Sequence, residues 1–560
     1  MKHRMRQWLP FIALAAALAL LAGCGGSAQE TEPQLSMTEP MTADHSLWQQ
    51  EPYYILQFNV DSVICNAPNV TASSSRVTIS QGGTYLLSGS LQDAQLTVEL
   101  PAGETARLVL RGVDMHCERG PVIYASGGGT VVLLLEDGTE NTISDGKSYL
   151  YSGSKVREAA ISTDGDLLIT GGGSLNVEAA HNDAIRSEGT LAVTEGVLAV
   201  TAWRDGLAAG RELRILGGQL SVASGRDGLA AASEKAGQGN ITLAGGTVAL
   251  ICGGDGIASA GTLTATAGEY HITTGGGSGN ASYGPTAEKW GLWGGLPQQQ
   301  PTEETSAISR EPVVSDSARG LSAGKAMTLE GGTFTLDCSD AALYSAGSLQ
   351  LAGSRVEISG GDSAMTARQF TLSGGEVSVL TARCGVTAED ATLSGGSLSL
   401  TCAQEGLRIA GGCAEPEGGD NGSDLRRVTV TGGDLTVRAG GHGLDIGGSL
   451  FQSGGSMLLA SGREQNPLRA ASVQISGGTL LAAGTLPERM ALRTELPCIS
   501  VELWLTGGRP LTVTAAEEST PILSFTPETS VGYVTLISDR LEKGTTYYLV
   551  SGSARIGLAP

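Results

Sequence analysis

The sequence predicts an all-β solenoid of the parallel β-helix type. Three observations support this prediction: a periodic aspartate motif, a periodic corner glycine and a periodic apolar-x-apolar run. The motifs HNDAI, WRDGL, GRDGL and GGDGI place Asp183, Asp205, Asp227 and Asp255 at intervals of 22, 22 and 28 residues. The last interval is longer because residues 234–240 are inserted. A corner glycine and an apolar-x-apolar run recur with the same period, and repeats of roughly 20–30 residues with strand patterning are typical of solenoids. A coil of about 22 residues accommodates three short strands and three corners, with neighbouring coils about 4.8 Å apart.

Residues 1–24 are predicted to be a lipoprotein signal peptide. A basic start is followed by an apolar stretch at 9–21, which is too short to be a comfortable membrane span. The stretch ends in Leu-Ala-Gly-Cys24, which resembles the bacterial lipoprotein cleavage box, whose Cys is diacylated. We therefore expect a lipid anchor on Cys24 that holds the protein to the extracytoplasmic face of the cell membrane. Residues 25–50 are polar and are expected to be a disordered tether.

The coils are expected to begin in residues 51–158, which are strand-like but irregular and are predicted to form an N-terminal cap and the first coils. Residues 159–484 are predicted to be the regular β-helix, because a corner glycine there supplies positive φ. These glycines are Gly173, Gly196, Gly218, Gly246, Gly332, Gly353, Gly375, Gly396, Gly433, Gly455 and Gly478.

Two inserts interrupt the predicted coils. Residues 275–315 are rich in Gly, Pro and Gln and carry Trp290 and Trp293, and residues 414–424 are acidic. Both are expected to be mobile loops that leave the rod. Residues 485–560 lose the period and are predicted to form a C-terminal β cap over the open edge of the last coil.

Composition excludes some classes of function. The 560 residues carry a formal net charge of −22, which disfavours a nucleic-acid partner because such partners require a basic surface. The cysteines other than Cys24 lack the CxxC and paired-His spacing of a zinc site. Cys252, Cys338 and Cys402 fall in one repeat column, which favours stacked core thiols over disulfides.

The motif order resembles that of a known family. ENTISDG at 140–146, the DGL and DGI coils, RGLSAGKAMTLEGGTFTL at 319–336 and QEGLRIAGG at 404–412 are similar to bacterial surface proteins called carbohydrate-binding domain proteins. The resemblance implies a right-handed parallel β-helix, calcium held by coil aspartates, and binding to plant-type or acidic polysaccharides.

The sequence departs from the family's Asp-Asp-Gly-Ile motif at the first acid, which is replaced by Asn182, Arg204, Arg226 and Gly254. The second acid is also lost in the later coils. The corner there reads Arg319, Ala341, Ser363, Cys384, Glu405, His442 and Asn466, while Asp340 and Asp362 survive at the first-acid position. Metal or sugar chemistry is therefore expected in the first half.

The column of Asp183, Asp205, Asp227 and Asp255 has three interpretations. Like charges 4.8 Å apart repel by about 3 kcal/mol per pair at an effective dielectric near 20, so something must offset them. Calcium, which binds six to eight oxygens, is one candidate. Neutralisation by Arg204 and Arg226 is the second, and capping of corner N–H groups is the third.

The sequence therefore favours a non-catalytic, membrane-anchored lipoprotein that binds polysaccharide with the help of calcium. The metal ligands would be the four aspartates, and Trp203, Arg204 and Arg226 are candidate glycan contacts. The first alternative is a pectate-lyase-like enzyme, although the acids and arginines are repetitive and form no unique constellation. The second is a structural adhesin or stalk that binds a protein partner.

Overall fold

A computed structural model describes residues 47–60, 62–73, 76–149, 159–233, 235–281, 317–410, 426–462, 465–484, 491–515 and 520–560. All of these residues belong to one compact unit, 40–560. The all-β prediction is confirmed. Two 3₁₀ turns, Leu47–Gln50 and Ser278–Asn280, are the only helical elements among the described residues, and no helix within these ranges has the length and apolar character to cross a membrane.

The strands are short and follow one another closely. Strands β1 to β10 are Tyr53–Val60, Ser62–Cys65, Val70–Ala72, Arg76–Ile79, Gly83–Leu91, Gln95–Glu99, Thr105–Cys117, Ile123–Ser126, Thr130–Leu135 and Glu140–Asp145. Strands β11 to β23 are Ala159–Thr163, Asp166–Thr170, Ser174–Ala179, Asp183–Ser187, Thr190–Val193, Val197–Ala202, Leu207–Ala209, Glu212–Ile215, Gln219–Ser224, Leu229–Ala231, Asn240–Cys252, Ile257–Ser259 and Thr262–Thr274. Strands β24 to β36 are Leu321–Ala323, Ala326–Leu329, Thr333–Cys338, Leu343–Leu351, Arg355–Ile358, Ser363–Leu372, Glu376–Ala382, Cys384–Ala388, Asp390–Cys402, Leu407–Ile409, Arg427–Ala439, Leu444–Ala460 and Leu468–Ala483. Strands β37 to β43 are Ala491–Thr494, Cys498–Leu505, Leu511–Thr514, Leu523–Phe525, Val531–Ser538, Tyr547–Ser551 and Ala554–Leu558.

Most of these strands join one large sheet of 39 strands in which parallel pairing predominates. In the regular part each strand pairs with the one about three further along the chain, so β13, β16 and β19 form a first file, β14, β17 and β20 a second, and β15 and β18 a third. Leu198 pairs with Leu220, 22 residues later. The chain thus returns to the same place in the sheet once per repeat.

One face of each first-file strand is buried, as the alternation of apolar residues predicts. The burial of Val197–Ala202 and of Gln219–Ser224 alternates strictly between exposed and buried. The buried side chains form a continuous core from Leu56 to Ile537. Cys252 pairs in register with Thr274, which pairs with Cys338, so these thiols share a core column as predicted. Both are free, and burial raises the pKa of each thiol to about 12.

The corner between the third and first files carries most of the predicted positive-φ glycines. They are Gly196, Gly218, Gly246, Gly332, Gly375, Gly396, Gly433, Gly455 and Gly478. The prediction is wrong at Gly173, since Gly171 takes the left-handed conformation in that coil. It is also wrong at Gly353, because Arg355 aligns with Thr333 and Glu376, which places Ser354 rather than Gly353 at the corner.

Antiparallel strands end the parallel stack. Strand β36 pairs antiparallel with β41, which also pairs with β38. Strands β39, β40, β42 and β43 form a separate four-stranded antiparallel sheet. These strands share a second apolar cluster, which includes Leu511, Phe525 and Leu549.

Candidate functional site

The four predicted aspartates stand at the corner between the first and second files in consecutive coils, and we call them the acidic corner column (Asp183, Asp205, Asp227 and Asp255). The Oδ1 of each aspartate accepts a hydrogen bond from the backbone N–H one coil further on. The N–H groups of Asp205 and Asp227 donate over 3.2 Å, and those of Asp255 and Arg319 over 2.9 Å. The column is therefore a ladder in which each carboxylate supports the next corner.

The carboxylates of the column lie in a protein environment rather than in water. Exposure is 1% at Asp183 and 9% at Asp227. Burial, with the nearby negative charges of Asp205 and Asp255, raises the pKa of Asp227 to about 6. Burial and then Asp205 also raise the pKa of Asp183. Uncompensated negative charge is therefore costly along this corner.

Arginines offset part of this charge. Arg186 donates from Nη1 to Oδ2 of Asp183 over 2.9 Å. The Nε of Arg226 lies 3.9 Å from Oδ1 of Asp205 and 3.7 Å from Oδ2 of Asp227. Two of the three interpretations of the column thus describe real contacts, since capping accounts for every Oδ1 and arginine neutralisation applies to Arg226.

The surroundings of the column support calcium binding only in part. Carboxylates stacked coil on coil supply the charge and the oxygens that calcium prefers, but it requires six to eight ligands. The Oδ1 atoms already accept backbone N–H groups. Among the described residues, no group of three or more His, Cys, Asp or Glu side chains is arranged to hold a metal ion. The protein alone thus offers an incomplete shell, and calcium at the column stays a prediction.

The candidate glycan contacts lie on the same corner. Trp203 and Arg204 directly precede Asp205 and are half-buried, and their N–H groups donate to the carbonyls of Ala179 and Asn182 over 3.0 Å each. Arg226 has 41% of its side chain exposed.

Tyr270, the aromatic residue of the neighbouring first-file strand β23, belongs to the core. It is fully buried and stacks on Phe334 with ring centroids 4.8 Å apart. An apolar-face contact between Tyr270 and a sugar is therefore excluded.

A cleft of about 260 Å³ opens where the acids of the column have been replaced. It spans the next coils, and we call it the arginine cleft, after the charged and aromatic side chains that line it. These are Arg319, Asp340, Tyr344, Asp362, Arg383 and Arg408.

Two arginines of the cleft are fixed by neighbours. The guanidinium of Arg319 lies 3.7 Å from the ring centroid of Tyr344, and its Nε is 3.6 Å from Oδ2 of Asp340. Arg383 forms a two-pronged ion pair with Asp362, with Nε–Oδ1 at 2.6 Å and Nη2–Oδ2 at 2.7 Å. Such two-pronged ion pairs fix the orientation of both side chains. The charged side chains of the cleft are therefore held in place before a ligand binds.

Sequence reasoning missed this cleft because the loss of the corner acids in the later coils led us to expect metal or sugar chemistry in the first half. The signal lay in two neighbouring columns. Asp340, Asp362 and Arg383 occupy the former first-acid position at intervals of 22 and 21 residues. Tyr344, Thr366, Thr387 and Arg408 align outward on the second file.

Several predicted features lie outside the described residues. They are the signal peptide with Cys24, most of the tether, most of the insert at 275–315 with Trp290 and Trp293, and the insert at 414–424.

The sequence profile of the carbohydrate-binding domain-containing protein family matches residues 73–365, more than half of the chain. The chain belongs to this family. The matched range contains the whole acidic corner column and ends inside the arginine cleft, after Asp362 and before Arg383 and Arg408.

A carbohydrate-binding domain-containing protein of Acetivibrio thermocellus is 30% identical over 187 residues, which are 32% of this chain. The match spans 60% of the length of that relative. A solved structure, described as the polysaccharide lyase-like protein from C. thermocellum in a gadolinium derivative, is 27% identical with a TM-score of 0.39. It covers 40% of this chain and 92% of its own.

This member of the carbohydrate-binding domain-containing family thus has two polar regions that are candidate ligand sites. The acidic corner column is buried and occupied by backbone donors. The arginine cleft is open and lined by both donors and acceptors.

Proposed function

We propose that the protein is a non-catalytic, polysaccharide-binding lipoprotein whose rod is a right-handed parallel β-helix. The observation that carries the proposal is the family match over residues 73–365, which covers the coils bearing the acidic corner column. Pairing of Leu175 with Leu198, and of Leu198 with Leu220, gives the coil spacing that such a rod requires. Its polar edge, rather than its apolar core, would meet the sugar.

Acidic glycans, including plant-type ones, are the proposed ligand class. The first half of the edge would contact uronates through calcium, which would link sugar carboxylates to Asp205 and Asp227 and so complete the shell that the protein leaves unfilled. Arg226, on the same corner, would contact the glycan directly. Trp203 and Arg204 would flank this contact.

The outer face of the cell membrane is the proposed location, through a lipid on Cys24. Replacing Cys24 by Ser should move the protein from the membrane fraction to the soluble fraction of cells. Persistence of the variant in the membrane fraction would remove the anchor from the proposal.

A polysaccharide lyase is the second candidate, and the arginine cleft is where a catalytic base would have to stand. Arg383 is held by two hydrogen bonds to Asp362. A guanidinium remains charged in proteins, and one paired with a carboxylate is a poor proton acceptor. Arg383 is therefore a poor candidate base, whereas Arg408 in the same cleft makes no ion pair within the described chain, so the assay for released uronides decides between binding and cleavage.

A glycan array tests the proposed function. The purified protein should bind acidic polysaccharides in calcium buffer, bind neutral ones less well, and lose part of the acidic signal when a chelator is added. A blank array would favour a structural stalk with a protein partner. Unsaturated uronides that absorb in the ultraviolet, released from polygalacturonate, would favour the lyase.

A further inference from the structure

The arginine cleft differs from the rest of the edge in its charge. The protein carries a net charge of −22, but the charged residues lining the cleft are three arginines and two aspartates. Exposed charges are largely screened beyond about 8–10 Å at physiological ionic strength, so a ligand in the cleft meets mainly these local groups. The lining side chains therefore carry an excess of one positive charge, and Glu405, whose Oε2 lies 3.6 Å from Sγ of the lining residue Cys384, borders them.

Arg408 supplies the excess charge. Its side chain is exposed, and within the described chain it makes no ion pair. The residue that aligns with it in the next coil is Asp445, which is already held by Arg469 at 2.7 and 2.5 Å. An arginine in this position is available to a carboxylate that comes from outside the protein.

The other lining groups suit sugar hydroxyls. A carboxylate has about four lone-pair sites, so Asp362 keeps accepting capacity after its two hydrogen bonds from Arg383, whose Nη1 also donates to Oε1 of Gln404 over 3.2 Å. Asp340 is 41% exposed and only loosely paired with Arg319. Because Arg319 covers one face of Tyr344, recognition here would be polar and would not depend on ring stacking.

The size of the cleft limits its occupant. Pockets for drug-sized ligands are typically about 300–1,000 Å³. At about 260 Å³ and open to solvent, this cleft has room for one sugar ring of a longer chain.

We propose that the arginine cleft binds one uronic acid residue of a polysaccharide without calcium, with the carboxylate on Arg408 and the hydroxyls on Asp340 and Asp362. The proposal rests on the proposed function for the class of ligand, but it assigns a second site in which arginine replaces the metal. The polysaccharide would then be held at two places along one edge.

Isothermal titration calorimetry of the whole protein with trigalacturonic acid in chelator buffer tests this site. The wild type should bind the acid at least tenfold more tightly than its methyl ester, which has the same rings without the charge. Arg408→Ala should weaken binding of the acid at least tenfold, and Arg408→Lys should weaken it less, because lysine keeps the charge but loses the fork. Arg355→Ala is the matched control, since it removes an exposed arginine paired with Glu376 on the first file and should leave affinity unchanged.

The outcomes separate this site from the proposed function. Equal affinity for acid and ester, or unchanged affinity in Arg408→Ala, overturns the cleft site. Binding of polygalacturonate in calcium but no binding of the trimer in chelator overturns the cleft site and leaves the proposed function standing. No binding of either probe in either buffer contradicts both. Because Arg408 is exposed, the variant should keep the wild-type melting temperature.

Discussion

The aspartates of the corner column combine two roles at the scale of single residues. The Oδ1 of Asp227 accepts the N–H of Asp255, which holds the corner, while its charge is poorly solvated and flanked by Asp205 and Asp255. Asparagine keeps the accepting oxygen and removes the charge. The Asp227→Asn variant therefore separates the architectural role of Asp227 from its electrostatic role.

The pKa of Asp227 gives this variant a pH dependence. Its folded-state pKa of about 6 exceeds the ordinary value of 3.8, so the folded state binds the proton more tightly than the unfolded state does. The stability that this group contributes is thus greatest below pH 4 and is lost as the pH rises to about 6. In calcium-free buffer, Asp227→Asn should be more stable than the wild type at pH 7.5, by on the order of 1–3 kcal/mol. The advantage should vanish near pH 4.

Thermal melting across this pH range checks the expectation. Asp434→Asn, at an exposed aspartate, is the control and should track the wild type. Equal stability of Asp227→Asn and the wild type at pH 7.5 would show that the charge is not costly. In calcium at about 100 times its Kd the wild type should gain about 2.7 kcal/mol and the variant less, if the metal sits at this column.

The sequence revealed the column but not its bonding. Spacing alone placed Asp183, Asp205, Asp227 and Asp255 at one corner and left three interpretations open, namely capping, neutralisation by arginine and calcium binding. Which oxygen accepts which N–H depends on side-chain torsions that spacing does not contain. Arg383 was missed for a related reason, since its partner Asp362 lies one coil away and their pairing depends on the register between β29 and β31.

Strand and corner positions were the most predictable features at the scale of elements. The apolar-x-apolar runs located the buried strands because alternate side chains face opposite sides of a sheet. At Gly173 the left-handed residue lies two positions earlier, at Gly171. At Gly353 the strand register places Ser354 at the corner, and neither of the two residues takes a left-handed conformation. The sequence of a Gly-rich turn does not specify these choices.

Left-handed glycines at the corner and in the turn between β38 and β39 differ in the space around them, which gives a matched test. Gly433 has φ of +79°, and a Cβ there would lie 2.7 Å from the carbonyl oxygen of Gly395. Gly508 has φ of +76° and an open surrounding. The left-handed conformation costs an alanine roughly 1–2 kcal/mol at either position. Gly433→Ala should cost more than this because the neighbouring coil must also move.

Denaturant melting of the two variants measures the difference. Gly433→Ala should be less stable than Gly508→Ala by at least about 1 kcal/mol. This difference is the steric cost of the added methyl group and is comparable to the destabilisation caused by overpacking a core. Equal losses would mean that the coils at this corner are not in tight contact.

The whole molecule is an acidic protein in which the polar corner of the large sheet changes character along the chain. Acids buried under backbone donors occupy the first half, and arginines paired with aspartates occupy the arginine cleft that follows. The repeat and the family could be predicted from the sequence. The cleft could not, because it exists only where several coils with different residues are stacked.

This edge is proposed to bind acidic polysaccharide without cleaving it. Calorimetric titration of polygalacturonate into the protein in calcium buffer is the direct test. We expect saturable heat that a chelator reduces but does not abolish, with no ultraviolet-absorbing uronides in the recovered sample. Absence of saturable binding in both buffers, or release of unsaturated uronides, would contradict it.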